Sequence, residues 1–191
     1  MDYYQDNAQR FVDDTSNVFM DDLYQRFLTH LPQGAKILDA GCGSARDAAA
    51  FYDMGYQVQA FDASQALVDI ANTMLPFDVQ LATFESFSSV SVFDAIWACA
   101  SLLHVPYAEH RATLTNLISY LSTDGVLYAS YKLGNYEGAR NGRFFCDMTL
   151  ERVEKIMNNL PLELVDHWVT GDKRPGRENQ QWLNLIYKKN K

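Results

Sequence analysis

The chain has 191 residues, 48% of them hydrophobic, enough for one domain with a sizeable core and too few for two of ordinary size. No apolar run approaches the ~20 residues that span a bilayer, and the first residues lack the basic start and apolar core of a signal peptide, so a cytoplasmic protein without membrane attachment is expected. A net charge of −8 disfavours nucleic acid as a partner, and three distant cysteines (Cys42, Cys99, Cys146) without a Cys-x-x-Cys pair argue against a disulfide framework and against a metal site.

The first sixteen residues are polar with interspersed Tyr3, Tyr4 and Phe11. Two readings stay open for them: a lid over a site, with Tyr4 reaching substrate, or an aromatic staple on the sheet edge. An amphipathic helix follows, with Phe19, Leu23, Phe27 and Leu31 on one face, ended by Pro32 and Gly34. Strand one is Lys36 to Ala40, and a short helix runs from Ala45 until Gly55 stops it. Strand two is Gln57 to Asp62. Ser64 then caps a helix carrying Leu67, Ile70, Ala71 and Met74, which Pro76 breaks. Val79 to Ala82 makes a short third strand.

Phe93 to Cys99 is a fourth strand, apolar apart from Asp94, as expected of a strand covered on both faces. A helix from Ala108 to Leu121 shows Leu114, Leu117 and Ile118. Asp124-Gly125 turns into a fifth strand, Val126 to Tyr131. A loop with Gly134, Gly138 and Gly142 runs to Thr149, which caps a helix bearing Val153, Ile156 and Met157. Leu162 to Val169 and Trp182 to Lys188 close the chain, joined by a segment without helical pattern. Alternating strands and helices predict a parallel sheet with helices on both faces, and the last pair reads as an antiparallel hairpin. The expected fold is α/β: a single-domain, Rossmann-like, seven-stranded sheet over residues 1–191.

The stretch Ile37-Leu-Asp39-Ala-Gly41-Cys-Gly43-Ser-Ala-Arg46-Asp47 is the most specific signal. Strand, glycine turn and helix together let a backbone approach a nucleotide closely. A dinucleotide fingerprint needs a third glycine three residues after the second, and Arg46 stands there. Asp39 puts an anion where a pyrophosphate would sit. The ligand suggested is cationic and lacks phosphate. Asp62, another strand-ending carboxylate 23 residues beyond Asp39, is placed to accept ribose hydroxyls.

The pattern Asp-x-Gly-x-Gly resembles motif I of the class I S-adenosylmethionine-dependent methyltransferases. The phrases Ala100-Ser-Leu-Leu-His104-Val-Pro106, Asn141-Gly-Arg-Phe-Phe145 and Arg174-Pro-Gly-Arg177 are similar to a bacterial group of small methyltransferases often labelled tellurite-resistance type. The resemblance implies S-adenosylmethionine as cofactor and a small-molecule acceptor. It implies that Asp39, Gly41 and Gly43 line the methionine and ribose side, that Asp62 holds the ribose, and that Ala63 lies beside the adenine. The family's adenine-binding Asp is matched here by Thr83, with Phe84 and Glu85 as the nearest substitutes. Ala98 and Cys99 are expected at the methionine arm. The competing readings are an NAD(P)-binding oxidoreductase and a cofactor-binding protein without catalysis.

Arg46 either pairs with the cofactor carboxylate or is an exposed helix Arg paired with Asp47 or a neighbour. His104 is the candidate general base, the other reading being a histidine that positions its loop. Charge is uneven along the chain. Residues 1–124 hold 5 Lys/Arg against 16 Asp/Glu, a net of −11, and residues 125–191 hold 11 against 8, a net of +3. Lys132, Arg140, Arg143, Lys173, Arg174 and Arg177 fall on two loops. Those loops either select a small anionic or electron-rich acceptor, with Lys132, Arg143 and Arg174 as substrate-binding residues, or are solvated loop charges.

Overall fold

The computed structural model describes residues 2–16, 18–174 and 176–190. Its elements in chain order are α1 (Asp2–Thr15), α2 (Asp21–Leu28), β1 (Lys36–Ala40), α3 (Arg46–Asp53), β2 (Gln57–Asp62), α4 (Gln65–Met74), β3 (Gln80–Leu81), β4 (Phe93–Ala98), a 3₁₀ turn (Leu102–His104), α5 (Tyr107–Ser119), β5 (Leu121–Lys132), β6 (Glu137–Arg140), β7 (Arg143–Cys146), α6 (Leu150–Met157), β8 (Leu162–Gly171) and β9 (Gln181–Lys189).

Seven strands form one sheet in the order β3-β2-β1-β4-β5-β9-β8. The first five pair in parallel, whereas β9 lies antiparallel to both β5 and β8. This is the sheet expected from the alternating pattern, closing hairpin included. Strand alternation explains the two packed faces. Ala95, Trp97, Ile37, Tyr128 and Ile186 pack with Phe27 of α2 and Phe51 of α3, while Ile96, Ala98, Leu38, Leu127 and Leu185 pack with α5 and α6. Both caps read from the sequence hold: Ser64 Oγ accepts from the Leu67 N–H and Thr149 Oγ1 from the Arg152 N–H.

Several elements differ from expectation. The first residues are helical, and the next helix starts only at Asp21, leaving Phe19 outside it and 58% exposed. The glycine-bearing loop after β5 folds into a small antiparallel sheet, β6 with β7. The fifth strand begins five residues early because Leu121 already pairs with Phe93, before the register shifts. His110, whose position in the predicted Ala108–Leu121 helix suggests an exposed turn, is fully buried, its Nδ1 2.9 Å from the Pro106 carbonyl.

A candidate methyl-donor site and an adjoining cationic chamber

A cavity of about 800 Å³ lies over the carboxyl ends of the parallel strands, where open α/β sheets bind ligands. The β1–α3 turn forms its floor. Gly41 and Gly43 have φ of +78° and +58°. A Cβ on Gly41 would stand 2.6 Å from the Ser101 Cβ, so no side chain fits there. Ser101 is itself fixed, its Oγ donating to the Ala40 carbonyl at 2.6 Å. Asp62, at the end of β2, accepts the Gly43 N–H on one oxygen and the Ser64 N–H on the other, each at 2.9 Å. Each carboxylate oxygen has a second lone pair left for a ligand.

Behind the turn lies a carboxylate that the sequence offered only as a partner for Arg46, a pairing the structure shows. Asp47, second residue of α3, is buried and accepts from the Tyr24 hydroxyl and Arg46 Nε at 2.6 Å and from the Trp97 indole at 2.8 Å. Arg46 also donates to the Thr15 carbonyl at 3.2 Å, and it borders the cavity. The guanidinium and the other two donors hold Asp47 below the usual carboxylate range, although burial opposes this. Asp39 is the reverse case. It is 2% exposed, its Oδ2 has no hydrogen-bond partner among the described residues, and burial beside Asp47 pushes its carboxyl well up. A buried, unpartnered carboxyl oxygen at a cavity wall is one that a cationic ligand would satisfy.

The other expected donor-site residues are placed as follows. Ala63, Thr83, Phe84, Glu85 and Cys99 line the cavity. Thr83 turns its hydroxyl to Ser86 Oγ at 3.1 Å, and Asn116 fixes the Phe84 carbonyl at 3.0 Å. Ala98 is fully buried and is not a lining residue, because its side chain faces α5 rather than the cavity. Burial pushes the Cys99 thiol up to about 12, so it stays protonated.

The adjoining part of the cavity is built by α1, the 3₁₀ turn, β7 and the β8–β9 connection. Tyr4 places its hydroxyl 2.9 Å from His104 Nε2, while His104 Nδ1 lies 2.7 Å from the Phe144 carbonyl. A carbonyl only accepts, so Nδ1 carries the hydrogen and Nε2 is the acceptor. Burial, helped by Arg143 and Lys132, pushes His104 down to about 4 and keeps it neutral. Arg143 donates to the Tyr4 hydroxyl at 3.3 Å. Phe11 sits over the glycine turn, 3.0 Å from where a Gly43 Cβ would be.

Of the six clustered cations, Lys132, Arg143, Lys173, Arg174 and Arg177 line the cavity, and Arg140 does not, being paired with Asp147. Arg174 is held by Asp172, and Lys132 by the neutral amide of Gln180. Among the described residues no group of three or more His, Cys, Asp or Glu side chains is placed to hold a metal, and no helix is long and apolar enough to cross a membrane.

A parallel sheet closed by an antiparallel hairpin, with an acid-flanked glycine turn beneath a cavity, defines the architecture of methyltransferases. The chain belongs to the methyltransferase domain family, whose model matches residues 8–169. No curated protein sequence matches it. Among solved structures it is similar to the Burkholderia thailandensis 1,6-didemethyltoxoflavin-N1-methyltransferase with bound 1,6-didemethyltoxoflavin and S-adenosylhomocysteine, at 20% identity over 100% of this chain and 85% of that one, TM-score 0.79. It is similar also to the magnesium protoporphyrin IX methyltransferase of Synechocystis PCC 6803, at 15% identity over 98% and 97% of the two chains, TM-score 0.78. A Methanosarcina mazei S-adenosylmethionine-dependent methyltransferase matches at 17% identity over 88% and 97%, TM-score 0.73. At these identities the likeness is one of fold.

Proposed function

We propose that the protein transfers a methyl group from S-adenosylmethionine to a small-molecule acceptor that is anionic or electron-rich. The observation that carries the donor assignment is the orphaned carboxyl oxygen of Asp39 beside a glycine turn that tolerates no Cβ at Gly41, with Asp62 at the next strand end. Such a wall fits a ligand with a cationic head and a ribose and offers nothing to a pyrophosphate. When bound, the cofactor supplies a methyl group on a sulfonium, an electrophile with a good leaving group.

The chain's residues then have the following parts. Asp62 accepts the ribose hydroxyls, and Gly41 and Gly43 permit close backbone approach. Asp39 answers the cationic head and Arg46 the carboxylate. Ala63, Thr83, Phe84 and Glu85 border the adenine. Cys99 lies along the methionine arm, Ala98 contributing backbone only. Alignment of the acceptor is the main task, since well-oriented reactants reach effective molarities of ~10⁵ M or more. Lys132, Arg143 and Arg174 orient the acceptor, and α1 closes over the reacting groups as a lid. His104 Nε2 takes a proton where the acceptor carries one, in place of the hydrogen bond it now receives from Tyr4.

Within the family we place the chain beside the small bacterial tellurite-resistance-type group and in the cytoplasm, acting on metabolites rather than nucleic acid. The test is S-adenosylhomocysteine production from pooled small metabolites. Formation that depends on a metabolite fraction supports the reading. Absence of formation with every fraction, despite cofactor binding, contradicts catalysis and leaves a binding protein.

A further inference from the structure

The acceptor half of the cavity carries more positive charge than its carboxylates offset. Asp172 is committed to Arg174 through two oxygens and also accepts the Trp182 indole at 3.2 Å. Lys132 has no carboxylate partner, nor do Arg143 and Arg177 among the described residues. The Nε of Arg143 is buried without a hydrogen bond to any described residue. Burial first, and then the neighbouring Arg140, Arg174 and Arg177, push Lys132 down to about 8.

Two of these cations, Arg143 and Lys132, lie over aromatic rings. Arg143 lies 4.5 Å from the Tyr3 centroid and 5.1 Å from that of Phe145. Lys132 stands 5.4 Å from Phe145 and 5.7 Å from Trp182. Cation–π contacts attract the cations to the ring faces without neutralising their charge. Tyr3, Phe145 and Trp182 all line the cavity. Phe145 is buried beneath these cations, whereas the half-buried Trp182 offers stacking surface, and the unpaired cations offer charge-assisted hydrogen bonds to an anionic substituent.

Resting on the methyltransferase reading above, we infer that the acceptor is a planar aromatic compound bearing an anionic group, its ring stacked against Trp182 and its anion held by Lys132 and Arg177. A saturated acid would find the charge without the stacking. A neutral aromatic would find the rings but leave the cations unpaired.

The test uses three probes on the full chain saturated with S-adenosylhomocysteine: 2-naphthoate, the neutral 2-naphthamide, and the saturated decalin-2-carboxylate, with calorimetry as readout. Naphthoate is expected to bind at least about tenfold more tightly than either control, since charge-assisted hydrogen bonds are about twice as strong as neutral ones. In the Lys132→Met, Arg177→Met double variant the preference over naphthamide should fall to about twofold, with affinity for S-adenosylhomocysteine unchanged, which also reports that the variant is folded. Equal binding of naphthoate and naphthamide, no binding of naphthoate, or a preference that survives the double variant would overturn the inference. Failure of the unsubstituted chain to bind S-adenosylhomocysteine would instead overturn the methyltransferase reading, so the two failures are distinguishable.

Discussion

Replacing Asp47 tests the buried network that seats the glycine turn. Its carboxylate takes hydrogen bonds from Tyr24, Arg46 and Trp97, which reach it from α2, α3 and β4. Hydrogen bonds to a charged group contribute about 1.5–3 kcal/mol each. Three that share one carboxylate do not add, and removing one partner of a buried ion pair costs about 3–5 kcal/mol. Asp47→Ala should therefore destabilise the fold by about 3–5 kcal/mol, a large part of the ~5–15 kcal/mol of a typical domain. Asp47→Asn keeps shape and one acceptor oxygen, so it should lose less and remain folded. Arg46 would then lose its anchor, and affinity for S-adenosylhomocysteine should drop severalfold. Urea unfolding followed by tryptophan fluorescence reads the first effect, with an unchanged m-value confirming that stability alone has shifted. A loss below about 1 kcal/mol for Asp47→Ala would refute the network's importance.

Three further outcomes are expected. Asp62→Ala should weaken S-adenosylhomocysteine binding more than tenfold by calorimetry, two charge-assisted hydrogen bonds at ~1.5 kcal/mol each exceeding that threshold; unchanged affinity in a folded variant would remove Asp62 from the site. Asp39 has a raised carboxyl in the folded chain, so the native state holds more protons than the unfolded one above the usual range near ~3.9, and stability is lost as pH rises. Asp39→Asn should accordingly raise the melting temperature at pH 7 while weakening S-adenosylhomocysteine binding, and a lower melting temperature would contradict the assignment. His104 is depressed to about 4, so its contribution to stability is present above the unfolded value near ~6.5 and is lost as pH falls toward 4. His104→Gln should flatten that part of the melting-temperature profile; an unaltered profile would mean that the histidine is not buried neutral.

What could be read in advance followed local rules. The run into Asp39 and the glycines after it specify a strand, a tight turn and a helix within a dozen residues, and Ser64 and Thr149 announce their helices by capping. Asp47 is legible in the sequence only as a partner for Arg46, because at a helix start it looks like a surface acid. Its other partners lie 23 and 50 residues away, and only tertiary packing unites them. The Tyr4–His104 contact spans 100 residues for the same reason, though aromatic spacing in the first sixteen residues hinted at it. The burial of His110 is not legible in helical periodicity, because it depends on β5 beneath the helix: the His110 ring packs 5.7 Å from Tyr131. The β6–β7 hairpin was hidden by its glycines, which mark turns equally well in an irregular loop. Thr83 shows the remaining limit, since a position inherited by resemblance says nothing of where a hydroxyl turns.

The central claim is the identity of the donor, and a calorimetric titration of the full chain with S-adenosylhomocysteine and, separately, with NAD tests it most directly. The site built around Asp39, Arg46 and Asp62 predicts saturable binding of one S-adenosylhomocysteine per chain and no heat from NAD. Saturable NAD binding with no response to S-adenosylhomocysteine would contradict it.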